Sequence, residues 1–356
     1  MNKLLLFLLF FLFIAPIILY SLPPVFILGI SGGTEAASEN QEPVSADFIT
    51  GADASLGWRG YLFEKGYISI AAGFSGKIVN LGTFQDQENL LIKASLPGGP
   101  GRINLESGLL SSITGTSLSS PFVNPQWGIG FSLDFGNGDI SGAAEYSGYS
   151  LVEPDDTGDI FYEGGKITVS YSPSIRYEIA LSGGAGWENW YENALYTDAG
   201  GTAGGNRQDW VLDGKLTSRG LLGYFTEWNV PVRFIWRNSN ANGFLEPDQF
   251  IPDTESRINF SVSPELSLSP HRSISIETGA YADFGRYLER KAFNSAGVVT
   301  DTHLFVNSLG GNFAFDWTRN NTFFVLLSGQ GGYAFSNDPF ETGWFFGASG
   351  GIQVSF

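Results

Sequence analysis

The chain has no cysteine, one methionine and two histidines in 356 residues. Without thiols there can be no disulfide, thiolate metal site, cysteine nucleophile or lipoprotein-type lipid attachment. The same absence suits a chain that crosses an oxidising compartment unfolded. Charge is sparse at 15% of residues, and bases are the scarcer kind: 19 Lys and Arg stand against 36 Asp and Glu, a net charge of −17. A nucleic-acid partner is excluded on that ground, because phosphate binding needs basic patches. Beyond residue 18 no apolar run approaches the roughly 20 residues of a membrane-spanning helix. Helical periodicity is missing there too, as is any Pro- or Ser-rich linker that would divide the chain. Glycine (47) and aromatic residues (15%) are abundant instead.

Met1-Asn2-Lys3 followed by uncharged Leu4–Ile18 has the charged and apolar regions of a secretory signal peptide. Pro16, Pro23 and Pro24 interrupt the run, against an anchor helix. The expected organisation is a cleaved signal at 1–21 and one domain at 22–356.

Alternation dominates the rest. In the last segment Trp344, Phe346, Ala348, Gly350, Ile352, Val354 and Phe356 share one face of a strand, and small or polar residues the other, with Phe345 the bulky exception. Trp127–Phe135, Ile167–Tyr171, Ile175–Leu181, Ile258–Leu268 and Ile274–Ile276 repeat the pattern. An apolar band bracketed by aromatics suits strands that cross a membrane in a closed barrel. A soluble sandwich or propeller also alternates, but its solvent face would be charged, whereas here it is mostly Ser, Gly and Asn with single charges.

A terminal aromatic closing such a strand resembles the assembly signal of bacterial outer-membrane β-barrel proteins. The resemblance spans the mature chain, is architectural, and implies an integral outer-membrane location. It also implies membrane lipid, the barrel-assembly machinery and periplasmic chaperones as partners, with Phe356 as the assembly signal. Connection lengths agree. Short turns at 64–66, 97–101, 136–138, 172–174, around Arg219-Gly220, 269–271 and 319–321 alternate with longer polar stretches at 78–88, 113–125, 151–159, 188–206, 238–255, 288–300 and 336–341. Turns on the periplasmic side and loops outside is how such barrels are built. Parity then predicts an all-β antiparallel barrel of sixteen strands if Val25–Ile30 is the first, with Ser31–Asp47 as the first external loop. Without that strand the count is fourteen.

Enzymatic chemistry finds little support. Asp301-Thr302-His303 resembles the Asp-x-His pair of the omptin proteases, but no Asp-x-Asp partner exists and Asp86-Gln87-Glu88 is the nearest match. His271-Arg272-Ser273 resembles the His-x-Ser of outer-membrane phospholipase but falls in a periplasmic turn. Asp155, Asp156 and Asp159 match no calcium-loop spacing. No catalytic, metal or cofactor site is expected.

What remains is the lumen. Parity points acids Glu106, Asp134, Glu145, Glu178, Asp213, Glu227, Glu265, Glu277, Asp283 and Asp316 inward, with bases Lys93, Arg102, Lys166, Arg176, Lys215, Arg233 and Arg257. Charges within a membrane-spanning element must meet water or each other, and sixteen strands enclose more space than side chains fill. The expected function is a porin-like channel for passive diffusion of small hydrophilic solutes, mildly cation-selective. The alternatives are an adhesin or receptor displaying its loops, a plugged transporter of hydrophobic solutes, and a barrel enzyme.

Overall fold

The computed structural model describes residues 19–21, 25–39, 42–43, 47–62, 66–79, 83–98, 101–112, 122–135, 139–152, 159–174, 176–196, 202–246, 249–251, 254–319 and 322–355. Residues 1–18 of the expected signal, Asp155, Asp156 and Phe356 lie outside the described residues, as does the side chain of Asp134.

Sixteen antiparallel strands form the wall. They are β1 (Val25–Glu39), β2 (Asp47–Leu62), β3 (Gly66–Val79), β4 (Thr83–Gly98), β5 (Gly101–Ser112), β6 (Phe122–Phe135), β7 (Ile140–Leu151) and β8 (Ile160–Ser174). They continue as β9 (Tyr177–Tyr196), β10 (Thr202–Leu221), β11 (Thr226–Ser239), β12 (in two pieces, Arg257–Val262 and Glu265–His271), β13 (Ile274–Phe293), β14 (Val299–Arg319), β15 (Phe323–Ser336) and β16 (Gly343–Ser355). Each pairs with its sequence neighbours, and β1 pairs with both β2 and β16, so the sheet closes. Val25–Ile30 therefore is the first strand and the count is sixteen. Upstream, Leu19–Ser21 runs along Gly60–Leu62 of β2. Among the described residues the only helical piece is a 3₁₀ turn at Pro339–Glu341, and no helix is long and apolar enough to cross a membrane.

The start of β1, the end of β16, the described turns at 222–225 and 272–273, and the strand ends flanking 63–65, 99–100, 136–138, 175 and 320–321 lie at one rim, the turn end. The other strand ends lie at the loop end. Several stretches expected to be loops are strand. Ser31–Glu39 belongs to β1, the connection at 78–88 shrinks to 80–82, and 188–206 is mostly the tops of β9 and β10. The stretch at 288–300 shrinks to a hairpin tip at 294–298, and 238–255 holds a small ribbon, Gly243–Glu246 against Gln249–Ile251. Above the membrane both faces of a strand meet water, so the ladder continues without apolar alternation. The turn placed around Arg219-Gly220 is also shifted: both residues pair within the sheet, and Leu222–Phe225 makes the reversal.

One strand is broken. Proline has no N–H to give the ladder, and β12 is interrupted at Ser263-Pro264. Pairing survives on the atoms still available, with Ser263 N donating to Pro231 O at 3.1 Å and Ala280 N to Pro264 O at 3.0 Å.

The two faces of the wall differ as the sequence alternation demands. One carries exposed Ile129, Phe131, Ile167, Val169, Leu181, Leu212, Leu216, Phe234, Phe260, Leu309, Phe313 and Ile352. Aromatic contacts bracket this belt. Towards the loop end Trp127 packs on Phe161 (5.7 Å between centroids), Phe161 on Trp187 (6.3 Å) and Trp344 on Phe346 (5.5 Å). Towards the turn end Tyr177 packs on Trp228 (6.0 Å) and Trp317 on Phe323 (5.9 Å). Exposed apolar surface of that extent, ringed by aromatics, is stable only against hydrocarbon. This face is the convex one.

Candidate functional site: the charged concave face

Residues directly opposite in an antiparallel ladder share a face, so register sorts the wall. The opposite face to the apolar belt is concave, because side chains on it converge across strands that do not pair. Arg237 of β11 reaches over β10 to Glu188 of β9, with Nη1 at 2.8 Å from Oε2. A single recess of about 510 Å³ is lined from β7 to β13 by Tyr149, Tyr162, Glu188, Asp213, Arg233, Arg237, Arg257 and Asp283, among others.

Apart from Asp134, whose side chain is outside the described residues, the acids and bases that parity points inward fall on this face. Lys93 Nζ lies 3.0 Å from Glu106 Oε2, with both side chains nearly half exposed (46% and 44%). Arg219 pairs with Glu178 at 2.7 Å, and Arg233 with Asp213 at 2.5 Å. Arg102 Nε donates to Ser95 Oγ at 2.9 Å and lies over the Tyr67 ring, which Arg59 also covers. Lys166 stands opposite Glu145 in register, and Lys215 opposite Arg233. Glu265 accepts from Asn229 Nδ2 at 3.1 Å, Asp283 from Ser308 Oγ at 3.4 Å, and the Tyr287 hydroxyl from Arg257 Nη1 at 3.1 Å. Glu227 and Glu277 both stand opposite Ser267, and Asp316 opposite Ser275. Arg176 sits at the turn end, over the ring of Tyr224.

Register adds residues that sequence reading passed over: Asp53, Glu188 and Asp209 among acids, and Arg59, Lys77, Arg207, Arg219 and Arg237 among bases. Among the described side chains these bases offset the excess of acids expected from sequence. Distribution matters more. Near the turn end Glu227, Glu265, Glu277 and Asp316 cluster on β11–β14, while Arg59, Lys93 and Arg102 lie on β2, β4 and β5. In a sixteen-strand ring the strand eight places on lies opposite, so β12 and β13 of the acidic sector face β4 and β5, which carry Lys93 and Arg102, with Arg59 at the edge of the facing sector.

Nearer the loop end the charges interlock. Tyr149, Tyr162, Glu188, Asp209 and Ser239 form one row across β7–β11. Asp209 is fully buried and accepts from Arg207 Nη2 (2.8 Å), Arg237 Nη1 (2.5 Å) and Ser239 Oγ. Arg207 stacks on Trp190, 4.4 Å from the ring centroid. Alternation could not have shown this: Trp187 and Trp190 stand on opposite faces of β9, with Glu188 on the face of Trp190.

The motifs with enzyme resemblances stay apart. His303 is on β14, and Asn337 Nδ2 donates to its carbonyl at 2.9 Å; Asp86 and Glu88 are on β4. His271 Nδ1 accepts from Ser273 N at 3.2 Å, as a turn residue does. Among the described residues there is no group of three or more His, Asp or Glu placed to hold a metal ion.

Neither a protein-family model nor a curated protein sequence matches the chain. Solved structures do. OccK9 (OpdG) of Pseudomonas aeruginosa aligns at 9% identity over 94% of this chain and 98% of its own, with a TM-score of 0.52. OccAB1 of Acinetobacter baumannii aligns at 11% over 94% and 97%, with a TM-score of 0.50. At such identities the likeness concerns architecture alone. The chain has the fold of the bacterial outer-membrane β-barrel proteins.

Proposed function

We propose that the protein is an outer-membrane channel for passive diffusion of small hydrophilic solutes, with its turn end in the periplasm. The observation that carries this reading is the state of the charges on the concave face. Pairs such as Lys93–Glu106 and Arg233–Asp213 keep about 36–48% of their side-chain surface exposed inside the wall. Ionised groups lining a membrane-spanning element are tolerated where water reaches them, and a sixteen-strand ring is too wide for its own side chains to fill. Acids facing bases across the turn-end half would orient dipolar solutes and favour neither ion strongly.

Planar-bilayer recording of the refolded full chain tests it. Stepwise ohmic conductance is expected, with a reversal potential near zero in a KCl gradient. A barrel that inserts without conducting would overturn the reading. It would favour display of the loop-end arms to a partner, for which the 20-residue strands β9 and β10 speak.

A further inference from the structure

Two aromatic pairs stand on opposite walls near the loop end. Tyr149 and Tyr162 stack on β7 and β8 with centroids 5.2 Å apart and planes 23° apart. Tyr281 of β13 stacks on Phe345 of β16 at 6.3 Å and 25°. Tyr162 and Phe345 are each the third residue of their strands counted from the loop end, and β8 and β16 are diametric in the ring.

Both pairs lie on glycine. Tyr281, Gly310, Gly332 and Phe345 form one row across β13–β16, so two positions without side chains separate the rings and let them meet. A Cβ on Gly332 would come within 2.6 Å of Tyr281 Oη and 2.7 Å of Phe345 Cζ. At Gly186 the three nearest atoms to such a Cβ all belong to the Tyr162 ring, at 2.5–2.8 Å. Tyr162 is laid against the wall at Gly186 with Tyr149 stacked on it, and both side chains line the recess.

Beside Tyr162 the polar groups balance. Glu188 and Asp209 contribute two carboxylates, Arg207 and Arg237 two guanidiniums, and all four are joined in ion pairs. Glu188 and Arg237 of that set line the recess of about 510 Å³ beside Tyr149 and Tyr162, where Glu145, Asp213 and Asp283 are matched by Lys166, Arg233 and Arg257, so the recess offers hydrogen-bond donors and acceptors without net charge. Free ions gain little there. A neutral pyranose fits, because one face of the ring presents C–H bonds to an aromatic quadrupole and its edge hydroxyls bond to ionised groups.

We propose that the loop-end lumen binds neutral sugars, with the stacked Tyr149–Tyr162 pair, seated on Gly186, as the aromatic platform and Glu188 and Arg237 holding hydroxyls. This deepens the channel reading by naming a solute class, but binding does not require conduction. Calorimetric titration of the detergent-folded full chain with maltotriose is expected to show saturable binding. Gly186→Ala, which lifts the ring without removing it, and Tyr162→Ala are each expected to weaken binding about tenfold, while Tyr162→Phe stays near wild type. Heat-modifiable migration of each variant checks that it is folded. Absence of binding, tighter binding of a trigalacturonate than of maltotriose, or insensitivity to both Tyr162→Ala and Gly186→Ala overturns the proposal. In bilayers the two readings separate. Conduction without block by maltotriose and without calorimetric binding sinks the sugar site alone, whereas sugar binding by a silent barrel sinks the channel alone.

Discussion

Arg237 lies 2.5 Å from Asp209, a carboxylate with no exposed side-chain surface, and holds Glu188 with the same Nη1. Removing one partner of a buried pair that has no other costs about 3–5 kcal/mol; without Arg237, Asp209 still has Arg207 at 2.8 Å, whereas Glu188 loses its ion pair. Arg237→Ala is therefore expected to lose less than that in urea unfolding of the detergent-folded protein. Adding Glu188→Gln should recover part of it, since the carboxylate left behind is then neutral. Simple additivity of the two changes would show that Arg237 acts elsewhere.

Val262 stands opposite Val232 and Ala282 on the convex face, and its neighbour Ser261 opposite Arg233 and Asp283 on the concave one. A charge on the lipid face near mid-wall costs about 2–4 kcal/mol. Val262→Arg should therefore fold poorly into bilayers, while Ser261→Arg should insert almost normally. The comparison is read from the fraction of heat-modifiable protein. The reverse order would mean that the faces are exchanged.

Glu227, Glu265 and Glu277 occupy adjacent strands near the turn end. Replacing all three by glutamine removes negative potential from one side of the pore without changing its width. The reversal potential in a salt gradient should move towards anions, with single-channel conductance changed less than twofold. An unchanged potential would place these carboxylates off the ion path.

The interruption of β12 should be visible in hydrogen exchange. Amides next to Ser263-Pro264 belong to a ladder with a missing donor. Exchange at Val262 and Glu265 is expected to outpace that at Phe260 and Leu266 within the same strand, since local opening is easiest where pairing stops. Uniform protection along 257–271 would contradict this.

Much of the wall could be read from the chain. Ile258, Phe260 and Val262 against Asn259 and Ser261 state which face meets lipid, because hydrocarbon tolerates only apolar side chains there. The same period places Glu106, Asp213 and Arg233 inside. It fails at the loop end, where Glu188 and Arg237 sit on strands whose two faces both meet polar surroundings, so no periodicity marks them. The glycine rows were also invisible as function. Nothing in the chain sets Gly310 and Gly332 apart from the other glycines, and only register shows that they lie in one line between Tyr281 and Phe345.

Unequal strand lengths give the outer surface a skyline. β5 and β7 hold 12 residues, whereas β9, β10 and β13 hold 20, a difference of roughly 25 Å along the strand. Among the described residues two crests of strand, one over β9–β10 and one over β13–β14, overtop β5 and β7. An antibody or phage fibre too broad to enter the mouth would meet those crests, Asn294–Val298 among them.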